Sequence, residues 1–153
     1  IVSSRTYPVK AFKIHEDANI LVKNSFTYLG VDITPNGIDW KETALRYKLK
    51  ATTVINYFRS KGMNVNGLHP KSSLLIYKQF CRPILDYGMA SYLWDSESTL
   101  IVQKVQNFAL RSIISTARST STEALHKIFG IESLIGRNFM LHTRYRKRIE
   151  QIA

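Results

Sequence analysis

The residues of this chain that could do chemistry are cations rather than catalytic groups. No two of its histidines have metal-site spacing, since they stand at His15, His69, His126 and His142. The single cysteine, Cys81, falls on an apolar helical face, where a small core residue is expected. No glycine-rich phosphate loop of the common spacings occurs.

Carboxylates are too scattered to suggest a catalytic metal centre. The 11 Asp and Glu residues include one adjacent pair, Glu16-Asp17, in a predicted turn. Two-metal phosphoryl transfer needs several carboxylates that converge on ions about 4 Å apart. We therefore expect no catalytic residue, no metal ligand and no cofactor in this chain.

The basic residues, in contrast, are clustered. Lys and Arg number 22, which gives a net charge of +11 and a pI near 9.9. Residues 39–80 carry +6 and residues 118–153 carry +4, whereas residues 81–117 are neutral. A merely solvated helix face usually mixes both signs. Two cationic surfaces on a folded body predict an anionic partner, nucleic acid ahead of a membrane surface.

Length and composition set further bounds. A chain of 153 residues fits one domain, or one small domain with an appendage. Its 44% hydrophobic content argues against disorder, and a single cysteine excludes a disulfide framework. No apolar run approaches the roughly 20 residues that span a bilayer. Because the sequence starts at Ile1 and shows no signal peptide, we expect a piece of a longer protein. We expect that protein to be nuclear or cytoplasmic, and we expect no small-molecule substrate.

The periodicity of the apolar residues changes near residue 38. Before it, alternation predicts a small antiparallel β-hairpin or sheet over residues 1–38, with strands over residues 7–14, 20–23 and 25–34. In the third strand, Tyr28, Gly30 and Asp32 would share one face. After it, the period is helical, and we predict a bundle of about five helices over residues 39–153.

The first predicted helix follows a capping box, Asp39 with Glu42. Leu45 and Leu49 fall on the side opposite its apolar stripe, which predicts two apolar contacts. Residues at helical spacing form that stripe: Trp40, Ala44, Tyr47, Ala51, Val54, Ile55 and Phe58.

Proline, polar residues and glycine delimit the later helices. Pro70 opens the second helix, and Pro83 should kink or break it near Phe80. A polar break over residues 95–99 should precede the next helix, and a capping box at Thr120 opens a short one. Ser133 should cap the last helix, whose inward side is Leu134, Leu141, Tyr145, Ile149 and Ile152.

The predicted helices carry cations in rows. Lys41 and Lys48 lie about 10 Å apart along the first helix, a reach that spans neighbouring phosphates. The cations that we expect to bind nucleic acid are Lys41, Lys48 and Arg59 on one edge of the first helix, Arg46, Lys50 and Lys61 on its other edge, Lys71 and Lys78 on the second helix, and Arg144, Arg146, Lys147 and Arg148 on the last.

Several motifs in order resemble one protein family. Residues 25–33 resemble the F-x-Y-L-G-V-x-I signature of non-LTR (LINE-type) retrotransposon reverse transcriptases, which forms the primer-grip hairpin there. Residues 40–42 resemble the start of the thumb, and residues 82–88 resemble the family's R-P-I-L-E-Y-G segment. Residues 101–111 and 121–134 resemble its K-V-Q-R-R-A-L-R helix and its S-x-E-A-L…L-G-L-P-P-L segment.

The resemblance implies a palm edge and thumb that hold a template–primer duplex by its backbone. It places Tyr28, Leu29 and Gly30 against the primer end. The family's catalytic aspartates and fingers lie upstream and are not in this sequence, so Mg²⁺ is implied only for the complete polymerase. The implied partners are RNA or an RNA–DNA duplex, together with the missing palm and fingers.

Two other functions fit the residues. Because Leu45 and Leu49 need something to cover them, the helices could form a protein-interaction or scaffold domain. The short helix, Gly130 and the basic last helix would also suit a helix-turn-helix DNA-binding module over residues 120–145.

Overall fold

The structure, a computed structural model, describes residues 13–15, 18–19 and 23–152. The chain divides into two compact units, Ile1–Asp39 and Trp40–Ala153; from the sequence we place the boundary after residue 38. The described part is mostly helical, with short antiparallel strands ahead of the helices. The predicted fold class is therefore confirmed.

The described residues of the first unit form two small antiparallel sheets. One pairs β1 (Lys13–His15) with β2 (Ala18–Asn19). The other has the order β3-β4-β5, formed by β3 (Phe26–Tyr28), β4 (Val31–Thr34) and β5 (Gly37–Ile38). Of the first two predicted strands, residues 7–12 and 20–22 lie outside the described residues, as does the pair at positions 16 and 17.

The third predicted strand is wrong, because residues 25–34 form a hairpin. Leu29 and Gly30 make its two-residue turn with φ of 47° and 82°, and both values are positive, as a type I′ turn requires. The chain reverses there, so Tyr28 lies opposite Val31 and does not share one strand face with Gly30 and Asp32.

Five helical rods form the second unit. They are α1 (Trp40–Ser60), a second rod made of α2 (Pro70–Ile76), a π-helical turn (Tyr77–Cys81) and α3 (Arg82–Asp86), then α4 (Ser96–Ile114), α5 (Thr122–Phe129) and α6 (Leu134–Glu150).

Pro83 widens the second rod instead of breaking it. Proline has no backbone N–H to donate to the preceding turn, which normally interrupts an α-helix. Here the N–H of Arg82 donates to the carbonyl oxygen of Tyr77, five residues back, and α3 continues from there. One π-helical turn thus lets the rod pass the proline. Of the predicted kink or break near Phe80, the break does not occur, and the irregularity at this point is the π-helical turn.

Polar side chains cap the helices, though not always where we predict them. Ser133 Oγ accepts the N–H of Gly136 at 3.1 Å, as predicted for α6. The predicted polar break at residues 95–99 is instead a cap and first turn, because Asp95 Oδ1 accepts the N–H of Ser98 at 2.8 Å. Ser121, rather than Thr120, is the cap of α5.

The apolar stripe predicted for α1 is confirmed. Ala44, Tyr47, Ala51 and Ile55 are buried against the second rod and α4, and the other predicted members pack at the margin of this core. The prediction for α6 is wrong at its C-terminal end. Leu134 is buried, but every residue from Arg144 to Ile152 is exposed, because no described element lies beside those turns.

Buried hydrogen bonds join three parts of the helical unit. The hydroxyl of Tyr77 donates to Gln106 Oε1 at 2.8 Å, and Gln106 Nε2 donates to the carbonyl oxygen of Glu132 at 2.8 Å. Gln103 Oε1 accepts the N–H of Leu134 at 2.6 Å. Burial raises the pKa of the Tyr77 phenol, so it remains a neutral donor. The second rod, α4 and the α5–α6 connection are thereby held in one register.

We expect Tyr77→Phe to lower the free energy of unfolding by about 1–3 kcal/mol, because buried Gln106 Oε1 loses its donor. Urea denaturation followed by circular dichroism measures the loss. The matched control is Tyr57→Phe on the exposed side of α1, which should change stability by less than about 0.5 kcal/mol. Equal stability of the two variants would contradict the structural role of the Tyr77 hydroxyl.

Candidate nucleic-acid interface

The whole net charge of the chain belongs to the helical unit. Residues 40–153 contain 18 basic and 7 acidic residues, a net charge of +11, whereas residues 1–39 contain 4 of each. A surface for an anionic ligand is therefore to be sought on the helices.

One edge of α1 lies along α4. Lys41 Nζ is 2.7 Å from Glu97 Oε1, and the guanidinium of Arg59 lies 5.2 Å from the ring centroid of Phe108. These contacts join the two helices near both of their ends. We call the surface along this line the α1–α4 seam, formed by Lys41, Lys48, Arg59, Glu97, Lys104 and Phe108.

Two lysines of the α1–α4 seam, Lys48 and Lys104, are available to a ligand, and we call them the open cations of the seam. Helical spacing puts Lys48 on the same face of α1 as Lys41, and Lys104 on the same face of α4 as Glu97. Both lysines are exposed, and within residues 23–152 neither makes an ion pair. Two ammonium groups on adjacent rigid helices suit the contact of successive phosphates.

Sequence reasoning missed Lys104 because it lies in the electrically neutral block, residues 81–117. The signal that could have found it is its spacing, seven residues after Glu97 and four before Phe108. The pair of Lys41 with Glu97 is no obstacle at the α1–α4 seam. Both side chains are more than 60% exposed, and such pairs contribute only about 0–1 kcal/mol.

The opposite edge of α1 faces the second rod. Its cations sit beside aromatic rings: the Arg46 guanidinium lies 5.9 Å from the Tyr47 centroid, and Lys61 Nζ lies 5.9 Å from the Tyr57 centroid. Lys50 is exposed between them. The six predicted cations of α1 are therefore divided between two surfaces with different neighbours, rather than collected into one patch.

The two predicted cations of the second rod are both exposed. Lys71 lies in the first turn of α2, and Lys78 lies in the π-helical turn. Lys71 borders a groove of about 320 Å³ whose other walls are apolar: Pro70, Leu74, Ile114, Ile128 and Phe129.

The basic end of α6 projects from the core. Arg144, Arg146, Lys147 and Arg148 are all exposed, and Glu150 pairs with Arg146 at 3.6 Å. Arg146 and Lys147 also border a groove of about 360 Å³ together with Leu93, Phe139, His142, Thr143 and Glu150. These turns present charge along a helix that no other described element covers.

The predicted hairpin residues lie in the other unit. Tyr28 and Leu29 are 60% and 71% exposed, and Gly30 completes the tight turn with its positive φ. The tip thus offers a phenol and an apolar side chain to solvent on a short, hydrogen-bonded ribbon.

The first half of α6 is anchored by polar contacts. Arg137 Nε lies 2.6 Å from Asp86 Oδ2, and Arg82 Nε lies 3.8 Å from the same oxygen. Burial raises the pKa of the Asp86 carboxyl, although the bond from Arg137 opposes this shift. Asn138, with its amide oriented to satisfy both neighbours, donates to the Met89 carbonyl oxygen at 3.3 Å and accepts the N–H of Trp94 at 3.0 Å.

This anchoring bears on the helix-turn-helix alternative. A recognition helix contacts base edges with polar residues near its N-terminus. In α6 the polar residues at those positions, Arg137 and Asn138, are held by the protein itself, while Ile135 and Phe139 are the exposed ones. The arrangement disfavours base reading by α6.

The candidate acid–base groups are placed inside the helical unit. Burial raises the pKa of Cys81 to about 11, which keeps the thiol protonated and unreactive. Burial also lowers the pKa of His126, whose Nε2 lies 3.2 Å from Asn107 Oδ1 and 3.3 Å from Gln103 Nε2. A neutral His126 thus joins α5 to α4 through polar contacts.

The described residues offer neither a metal site nor a membrane-spanning helix. In that part of the chain, no three His, Cys, Asp or Glu side chains are grouped so that they could hold a metal ion. None of the helices in the same ranges combines the length and the apolar character that crossing a membrane requires.

Comparison of the chain with protein-family models, with curated proteins and with solved structures gives no match.

We expect Asp86→Asn to destabilise the helical unit by about 2 kcal/mol, because Arg137 would keep its partly buried charge and lose its anionic partner. Chemical denaturation measures the change. Because Arg82 also pairs with Asp86, the triple variant Asp86→Leu with Arg82→Met and Arg137→Met removes all three charges and should recover most of the loss. If the triple variant is no more stable than Asp86→Asn, the ion pairs of Asp86 are not what anchors α6.

Proposed function

We propose that this chain binds a nucleic-acid duplex, RNA or RNA–DNA, through its backbone phosphates. It would do so as the non-catalytic palm-edge and thumb part of a protein related to non-LTR retrotransposon reverse transcriptases, in the nucleus or cytoplasm. The observation that carries the proposal is the location of the entire net charge, +11, on one helical unit whose cations stand on exposed helix surfaces.

Four of the acidic residues of the helical unit are engaged by its own cations, and the net charge of +11 is what remains. Glu97, Glu123 and Glu150 each pair with one neighbouring cation, and Asp86 is held by Arg137. The remaining cations set the field that a polyanion meets. Phosphate contacts of this kind position a duplex and release counterions, and they carry no sequence information.

Rigid helices suit such binding. Side chains on packed helices keep their spacing when a ligand arrives, so less ordering cost opposes the contacts. The open cations of the α1–α4 seam stand on two helices whose contact is part of the hydrophobic core. Since the polar groups at the start of α6 are engaged internally, we expect binding to tolerate any base sequence.

The hairpin motif supports the thumb-and-grip assignment. Residues 25–33 carry the resemblance to the primer-grip signature, and they form a hairpin with Tyr28 and Leu29 exposed at its tip. In this proposal the tip contacts the primer end, the absent palm and fingers are protein partners, and Mg²⁺ acts only in the complete polymerase.

A protein-interaction domain is the second candidate, and one observation favours it. Leu49 is 70% exposed and Leu45 is 39% exposed, and the two are one turn apart on the outward side of α1. Static light scattering in high salt discriminates between the candidates. Duplex binding as proposed requires only a monomer, whereas a stable dimer that Leu49→Gln disrupts would favour the interaction role.

We expect the double variant Lys48→Glu with Lys104→Glu to weaken duplex binding for all sequences alike. Fluorescence anisotropy with a labelled RNA–DNA duplex, repeated over a series of KCl concentrations, measures both affinity and salt dependence. On a B-form duplex, the negative slope of log affinity against log salt loses about 0.9 of its magnitude for each phosphate that the protein no longer neutralises. Loss of two contacts should therefore reduce the magnitude of the slope by about 2.

The matched control is Arg118→Glu with Lys127→Glu. Both positions are exposed and outside the expected binding set, and the change in net charge is the same. The control should retain most of the affinity and the slope of the unaltered chain. Equal weakening by the two double variants would reduce the effect to net charge alone, and a flat salt response of the unaltered chain would refute the proposed function.

A further inference from the structure

Aromatic rings line the boundary between α1 and the second rod. The ring centroids of Phe58 and Phe80 are 5.1 Å apart, and those of Tyr47 and Tyr87 are 6.0 Å apart. Tyr47 precedes Phe58 along α1, whereas its partner Tyr87 follows Phe80 along the chain. The two helices therefore run antiparallel. The ring contacts therefore mark the two ends of one shared surface.

Three rings on this boundary stay open to solvent. Tyr57 is 59% exposed, and Phe80 and Tyr87 are each 52% exposed, although the core beneath them is apolar. Cations stand among them on the same edge of α1. We call this surface the aromatic–cation strip, formed by Arg46, Lys50, Tyr57, Lys61, Phe80 and Tyr87.

The aromatic–cation strip is long enough and basic enough to bind an extended anionic ligand. From Arg46 to Ser60, the last residue of α1, it extends about 21 Å, and Lys61 follows in the next turn. Within residues 23–152, Lys50 and Lys61 make no ion pair. Glu42, four residues before Arg46, is the nearest acid on α1, and Asp86, beside Tyr87, is paired with Arg137. The positive charge of the strip favours an anionic ligand, and its exposed rings favour a ligand with flat apolar faces.

We propose that the aromatic–cation strip binds single-stranded nucleic acid, with unpaired bases stacked on Tyr57 and Phe80 and with phosphates near Lys50 and Lys61. Base–aromatic stacking beside a cationic track is how single strands are held without sequence preference. A duplex cannot use these rings, because its base faces are already stacked inside the helix. The rings alternate with ammonium groups, which suits a polyanion better than an apolar protein surface.

This site goes beyond the proposed duplex binding and does not require it. The α1–α4 seam and the aromatic–cation strip occupy different edges of α1, and no residue belongs to both. Together they would let one helix hold a duplex on one side and an unpaired template or overhang on the other.

The test compares two fluorescein-labelled strands of equal length, oligothymidine and an abasic oligonucleotide, by anisotropy. The unaltered chain should bind oligothymidine at least about tenfold more tightly, since stacking one base typically contributes a tenfold factor or more. Tyr57→Leu and Phe80→Leu should each remove about tenfold of the oligothymidine affinity and leave binding of the abasic strand unchanged.

Ring-preserving variants serve as controls. Tyr57→Phe and Phe80→Tyr should keep oligothymidine binding, and thermal unfolding of every variant shows whether the helical unit remains intact. Blunt RNA–DNA duplex should respond to the Lys48→Glu with Lys104→Glu variant and not to Tyr57→Leu, which separates this site from the proposed function.

Equal binding of the abasic and oligothymidine strands would overturn the inference while leaving phosphate contacts intact. So would oligothymidine binding that survives both leucine variants. Self-association of the chain that Tyr57→Leu abolishes, without base-dependent strand binding, would identify the strip as a protein contact instead.

Discussion

Burial of one stripe of α1 is the feature from which the arrangement of the helical unit follows. Ala44, Ala51 and Ile55 are fully enclosed by the second rod and α4. Small alanine side chains let the helices approach closely, and the loss of apolar surface from water fixes the rotation of α1 about its axis. The buried side admits no cation, and the cations of α1 stand on the two edges that flank it.

Polar contacts add register to this apolar core. Tyr77, Gln106 and Gln103 make hydrogen bonds that only one alignment of the second rod, α4 and the α5–α6 connection satisfies. The pair of Asp86 with Arg137 does the same for the first half of α6. With that half anchored, the basic turns beyond it extend into solvent. The cationic surfaces are therefore consequences of packing and of internal hydrogen bonding together.

Both proposed surfaces use α1 and neither contains a catalytic group. On the α1–α4 seam, Lys48 and Lys104 suit phosphates that repeat along a duplex, while on the other edge Tyr57 and Phe80 suit bases that a duplex would hide. A molecule with these two edges positions nucleic acid and leaves chemistry to another part. Electrostatic attraction is common to both surfaces, and the aromatic rings are what distinguish them.

The fold class, the α1 stripe and the Ser133 cap could be predicted from the sequence alone, because helical period and capping depend on residues a few positions apart. Features that depend on distant neighbours or on backbone geometry required the folded chain. The alternation of apolar residues did not locate the turn at Leu29, because a leucine with positive φ is uncommon, and only the resemblance of residues 25–33 to a primer-grip signature implied a hairpin there. Lys104 belongs to the α1–α4 seam only because packing places α4 beside α1. Ile149 is exposed only because packing leaves the end of α6 without a neighbouring helix.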